Sequence, residues 1–144
     1  EISAAFGLVQ LKKLKKFTAT RQTNFNNLYE FFSKMKFFRL PRQLPEVKTS
    51  WLAFPLTINE NAPFSRLELV KYLEMSGIQT RPIFTGNVLK QPAFHKINYK
   101  NLGKDYVITD YIMENSFLIG CNHGLTEKHI EKIKNTFNTF LDKY

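Results

Sequence analysis

Arg81 is the charge in this sequence best placed to do chemistry. It interrupts a strand-like run between Thr80 and Pro82 and leads into Gly86-Asn87. A guanidinium at that point can fork onto a carboxylate or a phosphate; the alternative is a structural salt bridge. Asn87 and Gln91 follow in the same stretch. Their amides can read sugar hydroxyls or a base edge, or they can serve as turn and loop stabilisers.

No self-contained catalytic set accompanies them. The sequence has no Gly-rich phosphate loop, no HExxH and no GxSxG. His95, His123 and His129 are far apart in sequence. His129 falls in the first turn of the last helix and is expected to face solvent. His95 reads as a surface residue of an irregular loop. His123 follows a strand, where it can meet a ligand or shape a turn. Lysines are plentiful, but none lies in an apolar setting that would depress its pKa, so none is nominated as a Schiff-base residue. Cys121 is the single cysteine. One thiol makes no internal disulfide and no cysteine-rich metal site, and a small buried hydrophobe is its expected role.

The elements that must position these groups begin with a long helix. Glu1 to Phe32 reads as one helix with no capping residue before its first apolar side chain. Ile2, Ala4, Ala5, Phe6, Leu8, Val9 and Leu11 make its opening turns apolar nearly all round, which implies packing on several sides against something outside this chain. From Phe17 the pattern narrows to one stripe through Phe25, Leu28 and Phe32. Phe37 to Leu40 and Ser50 to Ile58 are strand candidates, with Pro55 marking an edge or a bulge. Ser65 and Glu68 form a capping-box pattern for a helix ending at Ser76, with Leu67, Val70 and Leu73 as its inner stripe and Gly77 as its left-handed terminus. Ile78 to Ile83 is a further strand. Thr85 to Gly103 has no periodicity, and long ordered loops of this kind carry function. A short helix over Asp110 to Asn115 capped by Thr109, a strand over Ser116 to Ile119 and a last helix capped by Thr126 complete the chain. This order predicts an α+β domain: a small mixed or antiparallel sheet with helices on one face.

The chain has 144 residues, 43% of them hydrophobic, which suffices for one buried core. No run reaches the roughly 20 apolar residues of a membrane span, and no secretory signal is visible. The lone cysteine makes a cytoplasmic setting the default. Net charge is +9, densest at Lys12, Lys13, Lys15 and Lys16. That balance suits nucleic acid, an anionic surface or a phosphorylated small molecule, and no nucleic-acid motif narrows the choice.

Several segments, in this order, resemble one family. Glu1-Ile2-Ser3-Ala4-Ala5-Phe6-Gly7, with Gln10-Leu11 and Leu14, is similar to a helix of the DegT/DnrJ/StrS-type sugar aminotransferases. Ser50-Trp51-Leu52-Ala53-Phe54-Pro55 resembles a strand of one branch. Gly77-Ile78-Gln79-Thr80-Arg81-Pro82-Ile83-Phe84, Gly86-Asn87 and Gln91-Pro92-Ala93-Phe94 resemble the loop of that same branch. Ile119-Gly120-Cys121 and Gly124-Leu125-Thr126 extend the likeness over nearly the whole chain. The branch is that of nucleotide-sugar 3-dehydratases of lipopolysaccharide synthesis. Gly86-Asn87 stands near where the aminotransferase branch has Pro-Leu-His, a departure that favours dehydratase.

The resemblance implies the C-terminal small domain of the aspartate-aminotransferase fold. Residues 1–33 would be a connecting helix and 34–144 the sheet-and-helix body. The large cofactor domain would precede Glu1 and be absent here. It implies pyridoxal or pyridoxamine phosphate in the full enzyme, and possible two-iron two-sulfur chemistry in the missing part. In the dehydratases a histidine there abstracts a proton while the cofactor acts as electron sink. The implied partners are a nucleotide-linked 4-keto-6-deoxy sugar and a second copy of the enzyme. Arg81, Asn87 and Gln91 become the substrate-binding candidates. No catalytic residue and no metal ligand falls in this chain, so alone it is expected to be inactive. Asn122-His123 stands where relatives show Tyr-Pro, so no role is carried onto His123. Two alternatives remain: the same domain of a pyridoxal-phosphate sugar aminotransferase, and a stand-alone basic module that binds nucleic acid, which would bind in a strongly salt-dependent way.

Overall fold

A computed structural model describes residues 1–100 and 105–144. The end of the irregular stretch, at 101–104, lies outside the described residues.

Helix α1 (Ile2–Phe32) opens the chain, with no side-chain cap at Glu1. Its first eight residues are all exposed, Ile2 at 90% and Phe6 at 67%. Only its second half is buried, through Asn24, Phe25, Leu28 and Phe32. Strands β1 (Phe38–Arg39) and β2 (Ala53–Ile58) follow. Helix α2 (Arg66–Met75) leads to β3 (Thr80–Pro82). Two single 3₁₀ turns, Val88–Lys90 and Pro92–Phe94, punctuate the irregular stretch. Helix α3 (Val107–Asn115), β4 (Ser116–Gly120) and α4 (Glu127–Leu141) close the chain.

The four strands form one sheet in the order β1-β2-β4-β3, antiparallel throughout. Alternation sorts its side chains. Phe54, Leu56 and Ile58 of β2 face the core with Phe117 and Ile119 of β4. That face is covered by the inner residues of α1, α2 and α4: Phe25, Leu28 and Phe32, then Leu69 and Leu73, then Ile130, Ile133, Phe137 and Phe140. Pro55, Thr57 and Ser116 point to the opposite face. There Thr57 Oγ1 and Ser116 Oγ lie 2.8 Å apart, and Tyr111 of α3 donates to Ile58 O at 2.6 Å. Three helices thus share one face as the sequence implied, and short α3 is the addition on the other.

The ends of α2 are stopped by local chemistry. Ser65 Oγ accepts from Glu68 N at 3.2 Å. The Glu68 carboxylate does not reach back as the capping-box pattern implied; it accepts from the Tyr144 hydroxyl at 2.5 Å and ties the end of α4 to the start of α2. Gly77 has φ 74, Ile78 N donates to Leu73 O and Gly77 N to Glu74 O, so the helix ends in a Schellman motif. The inward residues of α2 are Leu69 and Leu73, whereas Leu67 is 61% exposed. The sequence offered two overlapping apolar stripes, and docking against α4 selected the one spaced by four.

One further expectation is corrected, and the reading of Pro55 is refined. Helix α3 starts at Val107 after Tyr106, with no side-chain cap, and Thr109 lies inside it. Pro55 sits in a strand with neighbours on both sides, but β1 pairs only with Thr57 and Ile58, so the stretch around Pro55 has one open side. At α4 the reading holds: Thr126 caps the helix, and its amide donates to His129 Nδ1 at 3.0 Å in a capping box with histidine as third helical residue.

Candidate functional site

The site begins where β3 ends. Arg81 pairs with Leu118 in register, on the sheet face away from the main core, and is exposed. Its Nη1 donates to Thr80 O at 2.9 Å. With the Gln79 amide turned so that its oxygen faces the guanidinium, Nη2 and Nη1 donate to it at 2.5 and 3.2 Å. No carboxylate among the described residues forms a salt bridge with Arg81. Glu74, the acid nearby in sequence, instead accepts from Thr80 N at 2.5 Å and Thr80 Oγ1 at 2.7 Å. The Thr80 amide, then its hydroxyl, holds the Glu74 carboxyl below the usual carboxylate range. Arg81 also acts on that carboxylate through its charge, without forming a salt bridge with it.

The chain then turns sharply. Phe84 adopts φ 47, a left-handed backbone that non-glycine residues rarely take, and its ring is 86% exposed. Gly86 follows at φ 63, with Met113 of α3 packed against it. Asn87 is buried: its Oδ1 accepts from Leu89 N at 3.0 Å, and its Nδ2 donates to Asp110 Oδ1 at 2.7 Å. Lys90 Nζ lies 2.9 Å from Asp110 Oδ2. Gln91 Nε2 donates to Thr85 O at 2.8 Å. Asn87 and Gln91 thus use their side chains to fasten the loop, the second of the two roles open to them. Arg81 points outward from the base of that loop. His95 is exposed beside Lys90 O at 3.3 Å, and His129 is exposed as well as capping.

Asp110 and Met113 were not singled out by the sequence. They lie on α3, 23 and 26 residues beyond Asn87. The only local signal was an acid in a helix's first turn. The Lys90 contact, then the Asn87 bond, holds the Asp110 carboxyl below the usual carboxylate range. A depressed native value means that the unfolded chain binds the proton more readily. The stabilisation is therefore present above about pH 4 and is lost as pH falls through the native value. Asp110→Asn is expected to lower Tm at about pH 7, with the gap from the parent narrowing at about pH 3. Thermal melts at both pH values check this; an unchanged gap would assign the effect to shape and not charge.

The loop does not fit a bound pyridoxal phosphate. A phosphate cup needs free, converging amides. Here Gly86 N donates to Ile83 O, Lys90 N to Asn87 O, Gln91 N to Val88 O and Leu89 N to Asn87 Oδ1, while Asn87 N is directed at Met113 Sδ. Lys90, one of the lysines of this loop, is paired with Asp110. No group of three metal-binding side chains occurs among the described residues. No described helix is long and apolar enough to cross a membrane. Cys121 is fully buried, and burial pushes its thiol up to about 11. It should resist iodoacetamide at about pH 8 in the folded chain and react once unfolded, as mass spectrometry would show.

Comparison with known proteins supplies the family. The chain is 36% identical to the lipopolysaccharide biosynthesis protein RfbH of Salmonella typhimurium over 142 residues, which is 98% of this chain and 32% of that protein. It is 36% identical to a GDP-4-keto-6-deoxy-D-mannose 3-dehydratase of Yersinia pseudotuberculosis, over 96% of this chain and 34% of the other. It therefore spans about a third of the length of these relatives. Among structures, Escherichia coli GDP-4-keto-6-deoxy-D-mannose-3-dehydratase with bound hydrated PLP superposes with a TM-score of 0.84 at 26% identity, covering 93% of this chain and 34% of that one. An aminotransferase from Psychrobacter cryohalolentis gives a TM-score of 0.84 at 18% identity, over 97% of this chain and 38% of that one, and shares the fold. The aspartate-aminotransferase-type small-domain fold expected from the sequence is thus the one found. The model of the DegT/DnrJ/EryC1/StrS aminotransferase family matches residues 1–138, and the chain belongs to that family.

Proposed function

We propose that this chain is the C-terminal small domain of a nucleotide-sugar 3-dehydratase that acts on a 4-keto-6-deoxyhexose in deoxysugar and lipopolysaccharide O-antigen synthesis. The observation that carries the reading is 36% identity, across nearly the whole chain, to both RfbH and a GDP-4-keto-6-deoxy-D-mannose 3-dehydratase. The likeness to an aminotransferase structure stands at 18% and speaks for fold only. In this reading pyridoxal or pyridoxamine phosphate is held by a larger domain ahead of Glu1, because the amides of Gly86, Asn87, Leu89, Lys90 and Gln91 already donate to acceptors within this chain. Any two-iron two-sulfur cluster would draw its thiolates from outside this chain, whose one cysteine is buried. The enzyme works in the cytoplasm as a homodimer. The role left to this chain is recognition. Arg81 meets the nucleotide-sugar's diphosphate, and Gln91 and Asn87 hold the loop that frames it.

The full-length enzyme, supplied with pyridoxamine phosphate and a nucleotide-linked 4-keto-6-deoxyhexose, should yield a sugar that has lost its 3-hydroxyl. Mass spectrometry of the product decides this. A 4-amino sugar formed with glutamate as donor would instead establish the aminotransferase. Arg81→Ala should raise KM by about 10–100-fold, the value of one charge-assisted contact, with a smaller change in kcat. An unchanged KM would remove Arg81 from the substrate.

A further inference from the structure

A second cationic feature lies at the turn after β4, and the loop after β3 takes no part in its lining. The turn after β4 is pinned to α1 on both sides of His123. Asn24, itself buried, donates from Nδ2 to Asn122 O at 2.9 Å and to Leu125 O at 3.3 Å. Cys121 Sγ lies 3.8 Å from Arg21 O. Inside the turn, Gly124 N donates to Asn122 Oδ1 at 2.8 Å. His123 is thereby held with its ring stacked on Phe17, centroids 3.8 Å apart at 22°. Its Nδ1 is 3.5 Å from Arg21 Nη2.

Arg21 is fixed but poorly satisfied. Nη1 reaches Ser50 Oγ only at 3.4 Å. Nε is buried and has no acceptor among the described residues. No carboxylate among them forms a salt bridge with it. A guanidinium carries five donors and no acceptor, and leaving a buried donor unmade is costly. Both contacts of Arg21 are long, and neither goes to a carboxylate. Arg21 and His123 line an open groove of about 380 Å³ with Gln10, over a floor of Gly7, Leu11, Leu14 and Phe17. No acidic residue lines it. The four lysines of α1 from Lys12 to Lys16 add positive charge nearby.

We propose that this groove is an oxyanion seat, taking a carboxylate or phosphate group on the Arg21 guanidinium with His123 and Gln10 beside it. The group comes either as a free anion or as an acidic side chain of polypeptide lying along the exposed apolar face of α1. Planar fork geometry, neutral neighbours and the absence of a lining acid favour that chemistry over a cation or an apolar ligand.

The test is arginine Nε–H and histidine-ring NMR of this chain, titrated with inorganic sulfate against constant ionic strength. Sulfate should shift the Arg21 Nε–H and the His123 ring together, saturably, with half-saturation at about 10 mM or below. Arg21→Gln should abolish the His123 response while the amide spectrum shows the fold intact. Arg21→Lys keeps the charge but loses the fork, and should also lose the response. No saturable shift, or an undiminished response in Arg21→Lys, overturns the seat, the latter by reducing it to diffuse attraction. The same titration on the full-length protein separates the sources. An Arg21 Nε–H already shifted and insensitive to sulfate identifies a polypeptide acid. One that titrates as in this chain identifies a free anion. A resonance that is neither shifted nor responsive overturns both. None of these readouts depends on dehydratase activity.

Discussion

Phe32→Ala is expected to remove about 3–5 kcal/mol of folding stability, the usual cost of deleting a buried phenylalanine side chain. Phe32 is completely buried. Its ring meets Phe38 and Phe137 edge-on at 5.6 and 4.7 Å and stacks near Phe54 at 5.5 Å. It therefore joins α1, both β1 and β2, and α4. The neighbours belong to three separate elements, so no single rotamer change can fill the space, and the cavity term persists in full. Aromatic pairs add about 0.5–1.5 kcal/mol beyond area alone. Domains of this size are stable by about 5–15 kcal/mol, so the loss is a large share of the total. Urea denaturation of parent and variant, compared at equal m-value, measures it. A loss below about 1 kcal/mol would mean that the second half of α1 is not anchored as described.

Gly86→Ala should cost about 2–5 kcal/mol, from two separable sources. Its φ of 63 is left-handed, which costs an alanine roughly 1–2 kcal/mol. A Cβ would also stand 2.2 Å from Met113 Cγ and 2.6 Å from Met113 Cβ. The first neighbour can swing away; the second is fixed to the α3 backbone, so the loop or the helix must move, at about 1–3 kcal/mol. A double-mutant cycle separates the two terms. In a Met113→Gly background both neighbours are gone and the backbone strain remains, so Gly86→Ala should cost less there, by about 1–3 kcal/mol. Equal costs in both backgrounds would show that α3 does not clamp the loop. Because the loop follows Arg81 directly, the same variant should displace the guanidinium, and substrate affinity of the full-length enzyme should fall with stability.

The elements that announced themselves in the sequence were those whose signals are local. Gly77, Ser65 and Thr126 act on the backbone within a few residues of themselves, and each does what its type dictates. The stripe through Phe25, Leu28 and Phe32 was equally readable, because one face of a lone helix meets one core. The misread positions depend on partners remote in sequence. Glu68 left its expected amide for Tyr144, 76 residues away. In α2 the choice of Leu69 over Leu67 was made by packing on α4. Asn87 and Gln91 were recognised as loop residues with polar work to do, but the acceptors their amides use could not be seen: Asp110 lies 23 residues on, and Thr85 O depends on how the loop folds. The left-handed backbone of Phe84 had no sequence signal, since a phenylalanine predicts the opposite. Arg81 stood out as a lone cation inside an extended, Pro-bounded segment, and the structure leaves it exposed on β3.

The outer margin of β3 has a consequence for how the molecule behaves in a crowd. Residues two apart on a strand send their amides to the same side. The Thr80 amide is already capped by the Glu74 carboxylate, and Pro82, its counterpart, has no hydrogen to offer. At the other margin β1 is two residues long. A stray extended segment therefore finds no run of open donors to pair with at either flank. The sheet resists recruiting foreign strands into aggregates through its own backbone chemistry, without any covering helix.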